Sequence, residues 1–497
     1  MPDLVLGVDI GSSSSKAVLT DPAGRVIAMA SRPHALAMPR PGWFEHDAEA
    51  VWWHDFVAVC NEIAPRAAGN IVGVCVSGIG PCVLPTDELG TPLRPAILYG
   101  IDTRAEAEVR ALTDRLGEDA ILEQSGNLLT SQSVGPKLLW LRSHEPDVWA
   151  LTRRFFMAHT FIAMRLTGAY VLDHHSASQC DPLYDLRGGR WSDDLAQEIA
   201  PGLELPRLVL PQDIIGTVSA AAAVETGLSE GTPVAAGTID AWAEALSVGV
   251  RAPGDLMLMY GTTMFMIDVV ANGTPDRRLW LTRGVAPGSF TRAAGMATSG
   301  AITDWFRDLV GAPSVEPLVA EATAAGPGPS GLVVLPYFAG ERTPIFDPRA
   351  RGLIVGLTLN HGRGQLYRGL LEGTAFGARH ILEVMYGQDA ARPRIRAVGG
   401  GTRSELWLQI VSDVLGLPQD VPAVTIGASF GDAQLAAASV GLAGLEDDWN
   451  EVRSTVAPNA SVGRQYEQLY AIYRELYPAT RGAMRALYAI QLDMPLT

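Results

Sequence analysis

Apolar residues in this chain come in short uninterrupted runs separated by polar, glycine-rich turns. The first run, Leu4, Val5, Leu6 and Val8, has the density of a strand buried on both faces. It ends on Asp9, passes Gly11 and four serines, Ser12 to Ser15, and resumes after Lys16 as Ala17-Val18-Leu19. Strand, tight polar turn, strand predicts a hairpin. A third strand is expected over Arg25–Ala30, after the turn Asp21–Gly24. The theme returns at Asp255–Val270, where two apolar strands flank the turn Gly261-Thr262-Thr263. One such hairpin early in each half predicts two related domains facing one cleft. The link Gly249–Gly254 is the expected boundary, giving domains 1–249 and 250–497.

Elsewhere the period changes. Trp52, Trp53, Phe56, Val57 and Cys60 recur at helical spacing after the loop Pro39–Asp47, an aromatic stripe expected to pack in a core. Ile71–Ser77 reads as a buried strand that ends in Ser77-Gly78-Ile79-Gly80-Pro81. Gly100–Arg104 is expected to start an acidic helix, and Leu112–Gly168 to be mostly helical. His174 and His175 are placed on a strand, where neighbouring side chains face opposite ways, so a structural or surface role is expected rather than a shared metal. Pro233–Gly237 is a strand, and Thr238-Ile239-Asp240 leads into the helix Ala241–Val248. In the second half, Ile395–Val398 is a strand that runs through Gly399, Gly400 and Gly401 to Ser404 and the helix Glu405–Leu415.

The polar turns carry the candidate chemistry. Gly11 lets successive amides turn inward, Ser12 to Ser15 add hydroxyls, and Lys16 adds a positive charge, a concavity that suits a polyphosphate. Asp9 could hold Mg²⁺ through oxygen or water ligands. An ordinary surface turn uses the same residue types. Glycines between strand and helix at 399–401 fit close approach to a nucleotide, and a turn with a helix cap accounts for them equally.

Composition narrows the class. At 497 residues the chain needs two or more domains, and 47% hydrophobic against 19% charged residues is globular. Lys+Arg 38 against Asp+Glu 54 leaves −16, which argues against nucleic acid or an anionic membrane as partner. Cys60, Cys75, Cys82 and Cys180 have neither metal spacing nor a disulfide framework, and Cys75 and Cys82 read as buried thiols. Met-Pro-Asp followed at once by a strand is not a signal peptide, and no 18-residue apolar span occurs, so a cytoplasmic protein is expected.

Several long segments, in order, resemble the FGGY carbohydrate kinases, and most closely their xylulokinase branch. They are DIGSSSSK at Asp9–Lys16, PRPGWFEHDAEAVWW, PLRPAIL, GPKLLWL, the strand ending at Asp240, YGTT, LPYFAGERTPIFDPRARGLIVGLTLNHG and AVGGGTRSELWLQIVSDVLG. The resemblance covers nearly the whole chain. It implies an α/β fold of two ribonuclease-H-like domains, of the actin-like ATPase and sugar-kinase type, flanking a central cleft that closes on ATP and a sugar.

The same resemblance implies roles. Asp9 and Asp240 would serve Mg²⁺, and Asp240 would be the catalytic base, for which the competing reading is a helix cap. Gly11, Ser12, Ser13 and Lys16 would line the phosphate path, with Gly261, Thr262 and Thr263 as the second phosphate loop. Gly300, Gly399, Gly400, Gly401 and Ser404 would border the nucleotide. On the sugar side, Gly80, Pro81, Asp102 and Arg104 are the implied binding residues, together with Asp240.

Two departures bear on the sugar. Xylulokinases typically carry Gln-Met-His where this chain has Ile79-Gly80-Pro81, and Trp-Asn-Asp where it has Tyr99-Gly100-Ile101-Asp102. The Arg-Glu pair of glycerol kinases is also absent. The implied acceptor is therefore a ketopentose such as xylulose or a related ketose or polyol, and glycerol is disfavoured. An actin- or chaperone-like ATPase on the same fold is one alternative, though little chain follows the second domain and GERTP resembles the kinases. A degenerate sugar sensor is another, against which Asp9 and Asp240 are both present. The expected partners are a small sugar and ATP. A homodimer is compatible with the sequence, which carries no direct sign of oligomeric state.

Overall fold

The opening apolar run forms strand β1, Asp3–Ile10, in the computed structural model, which describes residues 2–67, 69–387, 392–492 and 494. Every residue of β1 from Leu4 onward is buried, because helices cover both faces of its sheet. The turn over Gly11–Ser13 returns the chain as β2, Ser14–Thr20, antiparallel to β1, and β3, Val26–Pro33, follows antiparallel to β2. Strand β4, Asn70–Gly78, lies parallel to β1 on its other side. Beyond it come β5, Ile214–Thr217, and β6, Pro233–Ala235, so the sheet order is β5-β6-β4-β1-β2-β3. The two-residue strand β7, Thr238–Ile239, also pairs with β4 in parallel.

The aromatic stripe behaves as its spacing predicts. Helix α1, His54–Ile63, follows one wider turn over Ala48–Trp53; the turn buries Trp52 and the helix buries Phe56, Val59, Cys60 and Ile63. Trp53 stacks on Phe56 with ring centres 5.7 Å apart. Helix α2, Asp240–Ser247, starts directly from β7.

A second sheet repeats the first. Strands β8, Asp255–Tyr260, and β9, Met264–Val270, form the predicted antiparallel hairpin, and β10, Phe290–Met296, lies beyond β9. Strand β11, Arg394–Val398, runs parallel to β8, followed by β12, Gln419–Pro422, and β13, Val452–Val456. Helices of this unit include α3, Gly300–Leu309; α4, Arg363–Tyr386; and α5, Glu405–Leu415. Two sheets with the order 3-2-1-4 and a parallel fourth strand are the paired ribonuclease-H-like domains expected from the sequence.

Contacts divide the chain into two units. The first is Met1–Arg251, Val269–Thr291 and Ile426–Asn450; the second is Ala252–Asp268, Arg292–Thr425 and Glu451–Thr497. Helix α6, Ala428–Ser439, thus belongs to the first unit and packs on β1, β4 and α2.

Two local expectations need correction. His174 and His175 are not on a strand: Val171–Asp173 ends the strand and His174–Ala177 forms one helical turn. Asp173 causes the change by capping that turn, its Oδ2 accepting the Ser176 amide at 3.0 Å. His174 Nδ1 lies 2.7 Å from the Tyr184 hydroxyl and His175 packs against Trp242, so both have structural partners, as expected. The acidic helix begins at Glu106 rather than in Gly100–Arg104, which forms a turn held by the Asp102 amide on the Tyr99 carbonyl at 3.0 Å.

Candidate active site

One row of paired residues crosses the first unit's sheet. Lys16 on β2 pairs with Asp9 on β1, Asp9 with Ser77 on β4, and Ser77 with Thr238 on β7. Two residues beyond Thr238 stands Asp240, the first residue of α2. The approach of β7 to β4 depends on Gly237, held at φ +72°, where a Cβ would lie 1.8 Å from the Val76 carbonyl oxygen.

The carboxyls around this row oppose one another. Burial pushes Asp9 up to about 6, with Lys16 and His34 pulling partway back. Burial holds Asp240 well above the usual carboxylate range, and the charges of Asp9 and Glu244 add to it. Glu244, one helical turn after Asp240, is pushed up to about 7 by burial and then by Asp9, against Lys16. Asp432 of α6 is likewise raised by burial, with Asp9 and Asp240 adding. The buried Oδ1 atoms of Asp9 and of Asp432 have no hydrogen-bond partner. Such a set of hard oxygen donors, short of positive charge, fits a divalent cation that keeps much of its water. No cluster of three or more His, Cys, Asp or Glu in direct metal-holding geometry occurs among the described residues.

The cap reading of Asp240 does not describe its bonding. Its Oδ1 accepts the amide of the next residue, Ala241, at 2.7 Å, and makes no bond to the second or third amide of the helix.

The first glycine turn is braced from below. The Gly11 amide donates to the Ser14 carbonyl at 3.1 Å, and the His34 ring bridges the Gly11 carbonyl at 3.0 Å and Asp55 at 2.8 Å. Ser15 points inward, its hydroxyl donating to Asp55 at 3.0 Å, while Ser12, Ser13 and Lys16 remain at the surface side of the turn.

In the second unit, the remaining glycine residues meet at the ends of β8 and β11. The Gly261 amide donates to the Thr263 carbonyl at 3.0 Å, closing the second turn. Gly399 sits at φ +92°, with its α-carbon so close to β8 that a Cβ would lie 2.5 Å from the Tyr260 oxygen. Gly401 packs on Tyr260 and Trp407, whereas Gly400 faces open space. Ser404 caps α5, its hydroxyl accepting the Trp407 amide at 3.3 Å.

The implied sugar residues fall into two groups. Gly80 abuts Ile239, the residue before Asp240, where a Cβ would lie 2.6 Å from the Ile239 side chain. Asp102 and Arg104 bind each other: Arg104 Nη2 donates to Asp102 Oδ2 at 2.7 Å and Nε to Oδ1 at 2.9 Å. Both side chains are fully buried. Asp102 also accepts the Phe44 amide at 2.7 Å, and Arg104 donates to Glu45 at 2.8 Å and stacks on Trp43 and Trp140. This is a saturated, rigid network. Beside it Lys137, brought down to about 8 by burial, donates to the Ser131 carbonyl at 2.6 Å.

Sequence reasoning missed Glu244, Asp432, Glu45 and Lys137. Glu244 was findable as the i+4 neighbour of Asp240 on one helix face. Asp432 stood out only as a lone acid in a run of small residues, ASFGDAQLAAAS.

Comparison with known proteins agrees with this geometry. Residues 4–247 match the family model described as the FGGY family of carbohydrate kinases, N-terminal domain, and residues 256–440 match its C-terminal domain. The chain is similar to the xylulose kinase of Bacillus subtilis, 28% identical over 97% of this chain and 98% of that protein. It is also similar to the glycerol kinase of Nocardia farcinica, 29% identical over 89% and 91%. The crystal structure of xylulose kinase from Rhodospirillum rubrum superposes with a TM-score of 0.89 at 34% identity, covering 97% of this chain and 99% of that one. The chain belongs to the FGGY family of carbohydrate kinases.

Proposed function

We propose that this carbohydrate kinase transfers the γ-phosphoryl group of ATP to a hydroxyl of a small ketose, a ketopentose such as xylulose before other ketoses or polyols, with Asp240 as general base. The observation that carries the reading is the placement of Asp240 at the start of α2, two residues beyond the row Lys16–Asp9–Ser77–Thr238. A sugar hydroxyl attacks poorly while protonated. As its oxygen bonds to the γ-phosphorus and the bond to the bridging oxygen of ADP breaks, a carboxylate at hydrogen-bond distance takes the proton. Burial and the neighbouring charges of Asp9 and Glu244 raise the proton affinity of Asp240, which suits that task.

Gly11, Ser12, Ser13 and Lys16 face the phosphates in this reading, with Gly261, Thr262 and Thr263 as the second loop. Gly399, Gly400, Gly401 and Ser404 border the adenosine, and Gly300 is a further ATP-binding residue. Asp9 and Asp240 would hold Mg²⁺, which supplies charge neutralisation on the phosphates. The unpartnered buried oxygen of Asp9 supports that fit. The domain division at 249/250 belongs to the same reading, and the two family matches, ending at 247 and beginning at 256, support it.

Gly80 and Pro81 line the acceptor beside Asp240, and Asp102 and Arg104 hold that wall in shape. Relatives named xylulose kinase and glycerol kinase at nearly equal identity bracket the acceptor between a ketopentose and a triol. The four free, buried cysteines support a reducing, cytoplasmic setting. No helix among the described residues is long and apolar enough to cross a membrane. A homodimer is included in the reading, and light scattering after size exclusion decides it.

The test is ADP release with Mg-ATP against a panel of ketoses, alditols and aldonates. Turnover strictly dependent on an added ketose is expected. ATP hydrolysis indifferent to every sugar would overturn the reading.

A further inference from the structure

Helix α6 returns to the first unit from far along the chain and is pressed against both elements that carry the proposed catalytic carboxyls. A Cβ on Gly7 of β1 would lie 2.0 Å from the Ser429 oxygen, and one on Gly431 would lie 1.9 Å from the Ala243 oxygen of α2. Contacts this close are made by small residues, and Ala, Ser and Gly make up eight of the twelve residues of α6, beside Phe430, Gln434 and Leu435. The remaining one is Asp432.

Asp432 is fully buried, and a buried carboxyl without a cation is costly compared with alanine. Oδ2 of its side chain accepts the Ser77 hydroxyl at 2.6 Å, and Oδ1 has no partner. Burial disfavours its charge first, and the charges of Asp9 and Asp240 add to that against the Ser77 hydrogen bonds. Ser77 is the residue that pairs with Asp9 on one side and Thr238 on the other. An acid that served packing alone has no reason to leave an oxygen bare where Asp9 and Asp240 already disfavour its charge.

We propose that Asp432 is a positioning residue of the phosphoryl-transfer site: through Ser77 it fixes the seam between the strand carrying Asp9 and the strand delivering Asp240, and its free oxygen receives a hydrogen bond from the hydration shell of the divalent cation. The proposal rests on the reading of Asp9 and Asp240 given above. It makes α6 a third contributor to the site, beside β1 and α2.

The test is Mn²⁺ binding to the enzyme–ADP complex, measured by electron paramagnetic resonance, alongside metal-free ADP affinity and melting temperature. Asp432→Asn keeps the size and the acceptor for Ser77 but loses the charge. It should weaken Mn²⁺ binding about 10-fold, as removal of an outer partner of a metal site does, with metal-free ADP affinity unchanged. Ser77→Ala should leave Mn²⁺ affinity within about 2-fold and lower kcat, because only the seam is disturbed. Wild-type Mn²⁺ affinity in a folded Asp432→Asn protein overturns the proposal. If that variant does not fold, the double variant Ser77→Ala/Asp432→Ala removes both partners of the buried bond and carries the same expectation. Asp9→Asn and Asp240→Asn run in parallel. If neither affects Mn²⁺ binding or turnover, the underlying reading of the site is the part that fails, and the proposal falls with it.

Discussion

The Gly300 amide donates to the Gly261 carbonyl at 2.9 Å, fastening the first turn of α3 to the second glycine turn. The amides of Ser299 and Ala301 donate to the Thr262 carbonyl beside it, at 3.0 and 3.1 Å. A Cβ at Gly300 would lie 2.6 Å from the Gly261 oxygen, so a side chain there forces the turn to shift.

That bond makes the two glycines distinguishable. Gly300→Ala should push the turn outward, lowering both melting temperature and ATP affinity. Gly261→Val has more room, with its Cβ at 3.1 Å from the Thr263 oxygen, so the fold should hold while the added methyl groups crowd the phosphate path. ATP affinity should drop about 10-fold, a change of about 1.4 kcal/mol. Unchanged ATP affinity in a folded Gly261→Val protein would sink the two-turn reading.

Asp102 and Arg104 test what a saturated pair can do. Asp102→Ala leaves the Arg104 guanidinium buried between Trp43 and Trp140 with Glu45 as its remaining acid. Losing one partner of a buried pair costs about 3–5 kcal/mol, which thermal unfolding reads directly. Asp102→Asn is milder, and should raise the sugar KM more than the ATP KM because the wall beside the acceptor loosens. Equal changes in both constants would remove this pair from the sugar side of the site.

Glu341 gives a pH prediction in the second unit. Its Oε1 accepts the amides of Ala297 at 2.8 Å and Arg342 at 2.7 Å, and burial pushes it from 4.5 to about 8. A carboxyl whose folded value is raised binds the extra proton in the folded state. Its contribution is therefore present at low pH and is lost as pH rises from 4.5 to about 8. Glu341→Gln keeps the acceptor and does not titrate, so it should match wild type near pH 4 and exceed it above pH 8 by roughly 5 kcal/mol. Urea midpoints across that range decide it; parallel curves for the two proteins would contradict the assignment.

What could be read from the sequence was local or carried by long motifs. Both hairpins follow from adjacent apolar runs with a glycine turn between them, and the start of α2 at Asp240 follows from an apolar strand meeting helical periodicity. Asp432 was hidden because its importance comes from α6 folding back against β1, a contact that no local period encodes. The pairing of Asp102 with Arg104 is a two-residue matter, but the Glu45 and Trp140 that bury it arrive from distant elements. His174 and His175 were misplaced for a simpler reason. The spacing Asp173 to Ser176 is a capping signal, and it outweighed the β-like residues before it.

Asp240→Asn separates base from scaffold. The side chain is already tied by its Oδ1 to the Ala241 amide at 2.7 Å, and the Asn carbonyl oxygen can make the same bond. Its environment disfavours charge, since burial, Asp9 and Glu244 all raise its proton affinity, so a neutral amide should fold at least as well. Melting temperature should therefore hold or rise slightly, and ATP affinity should stay near wild type. Turnover is the exception: loss of a general base lowers rate by about 10²–10⁴-fold. A merely structural Asp240 predicts that all three quantities move little. kcat, ATP affinity and melting temperature measured on the one variant distinguish the two, and near-normal sugar phosphorylation by the folded protein would pass the role of base to another group, with Glu244, one turn along the same helix face, the next to replace.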